Sequence, residues 1–465
     1  MHINKIKMPS AFALIFIIMV LTAMLTWIIP GGAYQRELNK DGREIVIDNT
    51  FQLVNRNPQG IFAVFQAPIK GITETAHIIA FILLIGGVFS IIDKTKVITA
   101  MILRVADRLK KKGFIVIPMG MLLFSIFGAV FGMSEEVIPF VLIFIPLAIS
   151  LGYDSIVGIS IPFLGAGLGF AGAMMNPFTI GIAQGISELP VFSGFFYRCI
   201  VWTCVTGTGI LLVMRYAAKI RKKPHTSPVY KADLKRKQLL QKESNEKIDF
   251  SLRHKIIMIL FIITIIMMIF GVMACHWFIT EIAALFLALG IISGIIAGLS
   301  IQEISDSFIK GAKDLVGAAL VVGFARAILV LATDGQIIDT IMYSLSSTIS
   351  RLHPIVGAQA MFIIQSVLNF FIPSGSGKAA LTMPIMAPLA DLIGITRQTA
   401  VLAYQLGDGL TNMIVPTSGV TMGVLGMAKL EWTVWAKWLY PIVLILSILG
   451  LLIMIPPVLF HYGPF

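Results

Sequence analysis

The sequence predicts an all-α polytopic membrane protein with two inverted-topology repeats, each containing a re-entrant hairpin and a discontinuous transmembrane helix. Hydrophobic residues make up 57% and charged residues 13% of the 465 residues, whereas a soluble domain is roughly one-quarter charged. In addition, a pattern of glycine, proline and hydroxyl residues occurs twice, 242 residues apart. A duplicated set of broken apolar segments is typical of secondary transporters.

The repeat consists mainly of residues that interrupt helices or carry hydroxyl groups. Ser134, Pro146, Gly152, Gly165, Gly167, Thr179 and Gly181 recur at Ser376, Pro388, Gly394, Gly407, Gly409, Thr421 and Gly423. Upstream, the tripeptide Ile69-Lys70-Gly71 recurs as Ile309-Lys310-Gly311. We therefore expect the substrate to bind between two related halves.

Uncharged runs, most of them near the length of about 20 residues that a helix needs, predict the membrane spans. They lie at 11–29, 78–92, 114–133, 137–153, 155–187, 199–214, 256–275, 282–301 and 409–428. The predicted organisation is a first transmembrane helix and external loop (1–66), transport repeat 1 (67–217), a basic cytoplasmic linker (218–254), connecting transmembrane helices (255–303) and transport repeat 2 (304–465). The three cysteines lie in or beside apolar runs and predict neither a disulfide nor a zinc site.

Basic residues predict the orientation, because they are retained on the cytoplasmic side of a membrane. Clusters at 104–112 and 215–255 place those segments and the N-terminus in the cytoplasm of a bacterium, with the spans in its inner (cytoplasmic) membrane. Counting the crossings starts the second repeat from the face opposite to the first, so the repeats are inverted. Basic clusters also bind nucleic acid or anionic lipid. Beside a span the retention signal explains them, and we expect no nucleic-acid partner.

Each half contains a long apolar stretch with a polar interruption near its middle. The first stretch, 114–153, is interrupted at 132–136, and the second, 354–395, at 373–378. Each is either two full spans joined by a turn in water or a re-entrant hairpin with its tip inside the membrane. Re-entrant hairpins are favoured because the turns are short and further broken segments follow them. Non-helical backbone at that depth is tolerated where protein lines a cavity.

A second interrupted stretch follows each hairpin. Residues 165–169 and 176–179 interrupt the first, and residues 407–409, 411–412 and 416–419 interrupt the second. Free N–H groups at half-helix N-termini suit a carboxylate, whereas opened carbonyls and Asn, Ser and Thr oxygens suit Na⁺. The alternative is that the glycines only permit close helix packing. It fits the clusters at 176–179 and 416–419 less well. The residues expected near Na⁺ are Ser134, Asn176, Ser376 and Asn412.

Charged residues also fall in or beside the predicted membrane segments: Glu135, Glu136, Arg326, Lys378 and Asp408. They must face each other or water, because an unpaired charge costs roughly 2.5 to 3.5 kcal/mol at the bilayer centre. Three acids and two bases leave one negative charge for a proton, Na⁺ or a cationic substrate group. The alternative is a structural bridge from Arg326 to Asp408 or a glutamate.

We expect His77 to be structural rather than a proton relay, and Glu74 to reach the interface.

Two glycine motifs predict no nucleotide site. Residues 167–172 match G-x-G-x-x-G but lie in an apolar run without a preceding strand. Residues 375–378 lack the first glycine and the final Ser or Thr of a phosphate loop. The sequence contains no metalloprotease or nucleophile-elbow motif either. We therefore expect neither an enzyme nor a bound cofactor.

Four segments carry a resemblance to a known family: 130–136, 175–178, 374–384 and 405–409. They resemble the anaerobic four-carbon dicarboxylate carrier family of the ion transporter superfamily, and most closely its uncharacterised branch labelled basic amino-acid (arginine/ornithine) antiporters. The resemblance implies two hairpins with tips at substrate and Na⁺ sites, often in a homodimer. One departure is that the first tip reads Ser134-Glu135-Glu136 in place of the Ser-Asn-Thr signature of well-studied dicarboxylate members. Its implied site residues are Ser134, Glu135, Asn176, Ser374, Ser376, Asn412 and Thr417.

A doubly acidic tip predicts the substrate class. Two carboxylates would repel a dicarboxylate and bind a guanidinium or ammonium group, while Lys378, Arg326 or half-helix N-termini hold an α-carboxylate. The sequence therefore favours an antiporter or ion-coupled symporter, with Na⁺ or H⁺ as coupling ion, for basic amino acids such as arginine and ornithine. The alternatives are a succinate/fumarate carrier, a channel, and a membrane-bound sensor or scaffold. The substrate-binding candidates are Ser134, Glu135, Glu136, Asn176, Ser374, Ser376, Lys378, Asp408, Asn412 and Thr417, with Arg326 as charge partner.

Overall fold

The computed structural model describes residues 11–38, 44–47, 49–101, 104, 113–245, 251–275 and 277–463. Within these residues the chain is mainly helical, and nine helical segments are long and apolar enough to cross a membrane. It is a multi-pass membrane protein, as its composition predicts. Most of the predicted basic cluster at 104–112 and part of the linker, 246–250, lie outside the described residues.

The first half of the chain begins with a helix and a segment of four short strands. Strand β1 pairs with β4 and β2 with β3, both antiparallel. The helices and strands of this half are α1 (Ala11–Ile28), β1 (Gly32–Ala33), β2 (Arg36–Leu38), β3 (Glu44–Val46), β4 (Gln52–Leu53), α2 (Ile61–Glu74), α3 (Ala76–Lys94), α4 (Gly113–Phe131), α5 (Ile138–Ser150), α6 (Ser155–Ile159), α7 (Gly165–Gly172), α8 (Ile182–Ile186) and α9 (Phe195–Lys222). A 3₁₀ turn, Glu135–Val137, precedes α5, and π-helical turns, Ser160–Leu164 and Pro177–Gly181, precede α7 and α8.

The second half begins after the linker and contains helices and no strand within its described residues. Its helices, with the linker helix first, are α10 (Tyr230–Asn245), α11 (Leu252–Ala274), α12 (Ile279–Ala297), α13 (Ile301–Asp334), α14 (Ile338–Ile349), α15 (Pro354–Phe371), α16 (Gly375–Leu392), α17 (Arg397–Asn412), α18 (Gly419–Met427), α19 (Trp432–Ile453) and α20 (Ile455–Leu459). The uncharged run 409–428 is therefore not one span, because α17 ends inside it and α18 begins there.

Glycines hold α2 and α3 close to the long helix α13. A Cβ built at Gly71 would overlap the carbonyl oxygen of Gly323, and one at Gly311 would overlap that of Gly86. Gly71 and Gly311 are the glycines of the repeated Ile-Lys-Gly tripeptide. Their recurrence therefore has a steric cause, since any side chain at either position would force these backbones apart.

A second glycine-mediated bundle contains the broken helices. In the first half α4 crosses α7, and a Cβ at Gly165 would lie 2.9 Å from the oxygen of Met121. In the second half α15 crosses α17, and a Cβ at Gly407 would lie 2.6 Å from Cβ of Gln365. Gly165 and Gly407 are repeat-related, so the same crossing is built once in each half. Helices α7 and α17 then pack on each other at Gly409.

The basic linker is held against the base of the first hairpin by hydrogen bonds from α10. Asp233 accepts a hydrogen bond from the backbone N–H of Ser155 at 2.7 Å, and Arg236 donates to the carbonyl oxygen of Ala428. Asp154 accepts from Ser227 at 2.7 Å. Burial raises the pKa of the Asp154 carboxyl, although its hydrogen bonds oppose the shift. The linker is thus anchored to both the first hairpin and the end of α18.

Candidate functional site

Both hairpin tips are short breaks between helices, near the positions that the sequence predicts. The first follows α4, where Gly132 has a φ of +69° and lets the chain turn before Glu135 begins the 3₁₀ turn. The second comprises 372–374 only, because Ser374 caps α16 by accepting a hydrogen bond from Gly377 N. Residues 375–378, predicted as part of the interruption, instead form the first turn of α16.

The two discontinuous stretches restart at repeat-related caps. Helix α7 ends at Gly172, and its C-cap Ala173 has a φ of +30°. The helical backbone resumes at Pro177, where Asn176 Oδ1 accepts a hydrogen bond from Phe178 N at 2.9 Å. Helix α17 ends at Asn412, and the next helix restarts when Ser418 Oγ accepts from Thr421 N at 3.3 Å. Asn176 and Ser418 are 242 residues apart. Each half therefore exposes helix ends at the same place in its repeat.

A cavity of about 380 Å³ lies where the two tips and the helix ends meet. Its size falls within the range of small-molecule sites. Asn176, Lys378 and Asp408 do not line it. The sequence-predicted site residues that do line it are Ser134, Glu135, Glu136, Ser374, Ser376, Asn412 and Thr417, together with Arg326.

The charged groups on the cavity wall have an excess of carboxylates. Arg326 Nε donates to Glu74 Oε2 at 2.6 Å, so its partner is neither Asp408 nor a hairpin glutamate. Glu74, the last residue of α2, also lies on the wall. Glu136 Oε2 accepts a hydrogen bond from the backbone N–H of Ser134 at 2.9 Å, which folds its carboxylate onto its own tip. Together with Glu135, the wall carries three carboxylates and one guanidinium. With His77 counted as neutral, the formal charge of the wall is two negative charges.

Lys378 and Asp408 form an ion pair outside this cavity. Their side chains are both fully buried, and Lys378 Nζ lies 2.9 Å from Asp408 Oδ1. The ammonium also donates to Asn369 Oδ1 at 3.1 Å and to the carbonyl oxygen of Gln365 at 3.2 Å. Within the described residues neither oxygen of the Asp408 carboxylate has a hydrogen-bond partner, so this contact is an ion pair without hydrogen-bond geometry. Lys378 therefore holds helices α15, α16 and α17 together and does not present its charge to the cavity.

A smaller void adjoins the cavity on the side of the first tip. It measures about 30 Å³, and its polar lining includes Ser134, Asn412 and Ser418. Within the described residues, Asn412 Oδ1 of this lining is a buried oxygen without a hydrogen-bond partner, and Thr417 Oγ1 on the wall of the larger cavity is another. A void of this size holds one water molecule or one small ion. Buried acceptors without donors are suited to a cation.

Sequence reasoning missed Glu74, Gln365 and Asn369. One signal for Glu74 was present, because it follows the glycine of the first Ile-Lys-Gly by three residues, as Asp314 follows that of the second. Asp314 accepts from Lys429 at 2.9 Å, so each repeat carries an acid at this position that pairs with a distant base. Gln365 and Asn369 gave no signal, since Gln365 acts through a main-chain carbonyl and Asn369 is an uncharged amide on an apolar helix.

Comparison with known proteins gives a match over nearly the whole chain. A family model described as C4-dicarboxylate anaerobic carrier (DcuC) matches residues 8–458. The chain is 36% identical over 470 residues to "Putative basic amino acid antiporter YfcC" of Escherichia coli (strain K12), covering 92% of each chain. It is 30% identical over 490 residues to a protein of Haemophilus influenzae described as uncharacterized, covering 96% of each.

Two solved transporters also align with the chain. The YdaH transporter of Alcanivorax borkumensis is 16% identical, with a TM-score of 0.43, over 98% of this chain and 100% of the other. MtrF of Neisseria gonorrhoeae is 17% identical, with a TM-score of 0.43, over 97% and 95%.

Proposed function

We propose a transport function from the premise that this chain belongs to the C4-dicarboxylate anaerobic carrier family. The protein is a secondary active transporter of small carboxylate-bearing metabolites, with basic amino acids such as arginine and ornithine ahead of four-carbon dicarboxylates. One observation carries the ranking. The cavity between the two tips has three carboxylates and one guanidinium on its wall.

The charges on the cavity wall complement those of a basic amino acid. Such a substrate brings two cationic groups and one carboxylate. Glu135 and Glu136 lie at the first tip and would bind the guanidinium or ammonium of the side chain. Arg326 uses Nε for Glu74, which leaves its terminal N–H groups for the α-carboxylate. A substrate of net charge +1 lowers the negative charge of the cavity, whereas a dicarboxylate raises it.

A four-carbon dicarboxylate is the second candidate, favoured by the N-terminus of α16. Gly375 and Ser376 line the cavity at the start of this helix, where free N–H groups and the helix dipole attract a carboxylate. Binding two carboxylates beside the glutamates would require protons or Na⁺ to enter with them. This alternative therefore predicts strict cation coupling.

The coupling ion, under this proposal, is Na⁺ or H⁺ bound on the first-tip side. The void beside Ser134 and Asn412 supplies a hydroxyl and an unpartnered amide oxygen for Na⁺. Ser376 faces the cavity from the second tip. Asn176 caps the π-helical turn behind Gly132, and a Cβ at Gly132 would overlap its Oδ1. Asn176 thus fixes the first tip that carries the glutamates.

Inverted repeats with re-entrant hairpins explain this geometry best. Helix α5 has 13 residues, so at 1.5 Å per residue it is about 20 Å long, short of the 30 Å core of a membrane. The base of the first hairpin contacts linker helix α10, whereas α16 of the second packs on β3. Hairpins entering from opposite faces, with the linker and N-terminus cytoplasmic in a bacterial inner membrane, would bring both tips to one cavity.

The experiment is exchange by purified protein in liposomes. Vesicles loaded with arginine, ornithine or lysine, and separately with succinate or fumarate, are diluted into labelled substrate with and without imposed Na⁺ and pH gradients. We expect uptake of labelled arginine that depends on internal ornithine or arginine. Exchange of succinate and fumarate without any basic amino-acid exchange would contradict the ranking. No flux of any of the five compounds under any gradient would contradict the transport proposal.

A further inference from the structure

The ammonium of Lys378 sits in an oxygen cage that resembles a metal-ion site. Three oxygens of different kinds lie within 3.2 Å of Nζ: a carboxylate of Asp408, a side-chain amide of Asn369 and a main-chain carbonyl of Gln365. The Tyr404 ring closes a further side, with its centroid 5.6 Å from Nζ. Carboxylate, amide and carbonyl oxygens are also the ligands that hard cations select.

Neighbouring bonds fix the cage independently of the lysine. Asn369 Nδ2 donates to Thr411 Oγ1 at 3.0 Å and to the backbone oxygen of Asp408 at 3.1 Å. The amide oxygen of Asn369 is thereby turned toward Nζ. Within the described residues, Asp408 has no other cation within ion-pair distance. Without the ammonium, the cage would hold a buried carboxylate with two neutral oxygens and a vacancy.

The repeat shows that the positive charge of Lys378 has no counterpart at the equivalent position of the first half. Lys378 follows the repeated Ser376 by two residues, and Glu136 follows its counterpart Ser134 by two. The same register thus carries a fixed cation in one half and a carboxylate in the other. The carboxylate faces the open cavity, whereas the ammonium is enclosed. At this register the first half therefore offers a carboxylate to a cation from solution, whereas the second half carries its own cation.

We propose that Lys378 is a built-in substitute for a monovalent metal ion, its ammonium permanently filling a Na⁺-type site formed by Asp408, Asn369 and Gln365. The second half then needs no ion from solution at this place, and a coupling cation is exchanged on the side of the first tip. The consequence for coupling rests on the proposed transport function, whereas the occupancy of the cage does not. Removal of the side chain should convert the cage into a working Na⁺ site.

The test measures thermal stability of purified protein at pH 8 in NaCl, KCl or choline chloride of equal ionic strength. Four proteins are compared: the wild type, Lys378→Ala, Lys378→Ala with Asp408→Asn, and Lys70→Ala. Lys70 forms an exposed ion pair with Asp334 and serves as the matched lysine control. We expect Lys378→Ala to melt several degrees lower than the wild type in choline and to recover a large part of that loss in Na⁺.

The Na⁺-specific recovery should exceed any Na⁺ response of the wild type and of Lys70→Ala. It should disappear in the double variant, which has no carboxylate in the cage. A Lys378→Ala protein that melts alike in all three salts would overturn the proposal. So would a single variant that fails to fold in Na⁺ while the charge-neutral double variant folds, because Na⁺ then cannot replace the ammonium. Transport by the wild type is measured separately, so the two proposals fail independently.

Discussion

Arg326 on α13 donates to Glu74 at the end of α2 across 2.6 Å, and both side chains face the cavity. The pair joins two helices that already pack through the Gly71 contact. Their side chains are 35% and 44% exposed, so the pair adds at most about 1 kcal/mol to stability. Its position on the wall is better explained by a part in binding, where the guanidinium offers its remaining N–H groups to a carboxylate.

Substitution of Arg326 should therefore reduce binding much more than folding. A hydrogen bond to a charged group contributes about 1.5 to 3 kcal/mol, so Arg326→Ala should weaken the binding of either substrate class about 10- to 100-fold. The measurement is the concentration dependence of labelled uptake into liposomes. Lys70→Ala is the matched control, because Lys70 and Asp334 form a second ion pair between α2 and α13 outside the cavity. Equal losses in both variants would show that Arg326 acts only through helix packing.

The two hairpin glutamates should control which substrate class binds. Glu135→Gln or Glu136→Gln removes one of the two excess negative charges of the cavity, so the affinity for arginine should fall at least about tenfold. The affinity for succinate should stay or rise. Thermal stabilisation against both ligands measures this, since a ligand specific to the folded state raises the melting temperature. Glu188→Gln is the control, because Glu188 pairs with Arg397 and is 79% exposed. An unchanged arginine response in both glutamine variants would assign the glutamates to proton or ion coupling.

The repeated glycine of Ile-Lys-Gly should be required for packing. A Cβ at Gly311 would overlap the oxygen of Gly86, and backbone atoms cannot move aside locally, so Gly311→Ala should destabilise the protein by about 1 to 3 kcal/mol. Gly317 lies on the same helix with nothing within 4 Å of its Cβ position. Gly317→Ala should be neutral or stabilise by up to about 1 kcal/mol through helix propensity. Equal melting temperatures for the two variants would mean that α3 and α13 are not held at this distance.

Sequence patterns predict the breaks in this fold better than they predict its charge partners. Glycine and proline act on the local backbone, so the interruptions after α7 and α17 could be located from sequence alone. The expected opening at 165–169 and 407–409 is wrong, because these glycines lie inside α7 and α17 and permit close helix packing. Ion pairs depend on which helices become neighbours. Lys378 is therefore predicted as a cavity residue beside Ser376. The two residues differ by about 200° around the helix axis, and the side chain of Lys378 points toward α15 and α17. Arg326 and Glu74 are 252 residues apart, and no local pattern connects them.

We expect a transport cycle to move α18 against α13. In this structure α18 packs along α13 and also on α5 and α3, whereas α8, which follows the first break as α18 follows the second, packs on α16 and α17. Both second half-helices thus pack on the hairpin of the other half, and α18 in addition packs along α13. Alternation between these arrangements would open the cavity on one side and then on the other.

A disulfide between α18 and α13 should arrest that movement. A Cβ at Gly419 would lie 3.2 Å from Cγ1 of Val322, so cysteines at the two positions are within disulfide reach. The pair is introduced into protein whose three native cysteines, Cys199, Cys204 and Cys275, are replaced by serine. Oxidation should abolish exchange in liposomes, and a reductant should restore it in the same sample, which serves as its own control. Each single-cysteine protein should be insensitive to the oxidant. Full exchange by the cross-linked protein would show that α18 stays on α13 throughout the cycle, and the moving part would then have to be sought elsewhere.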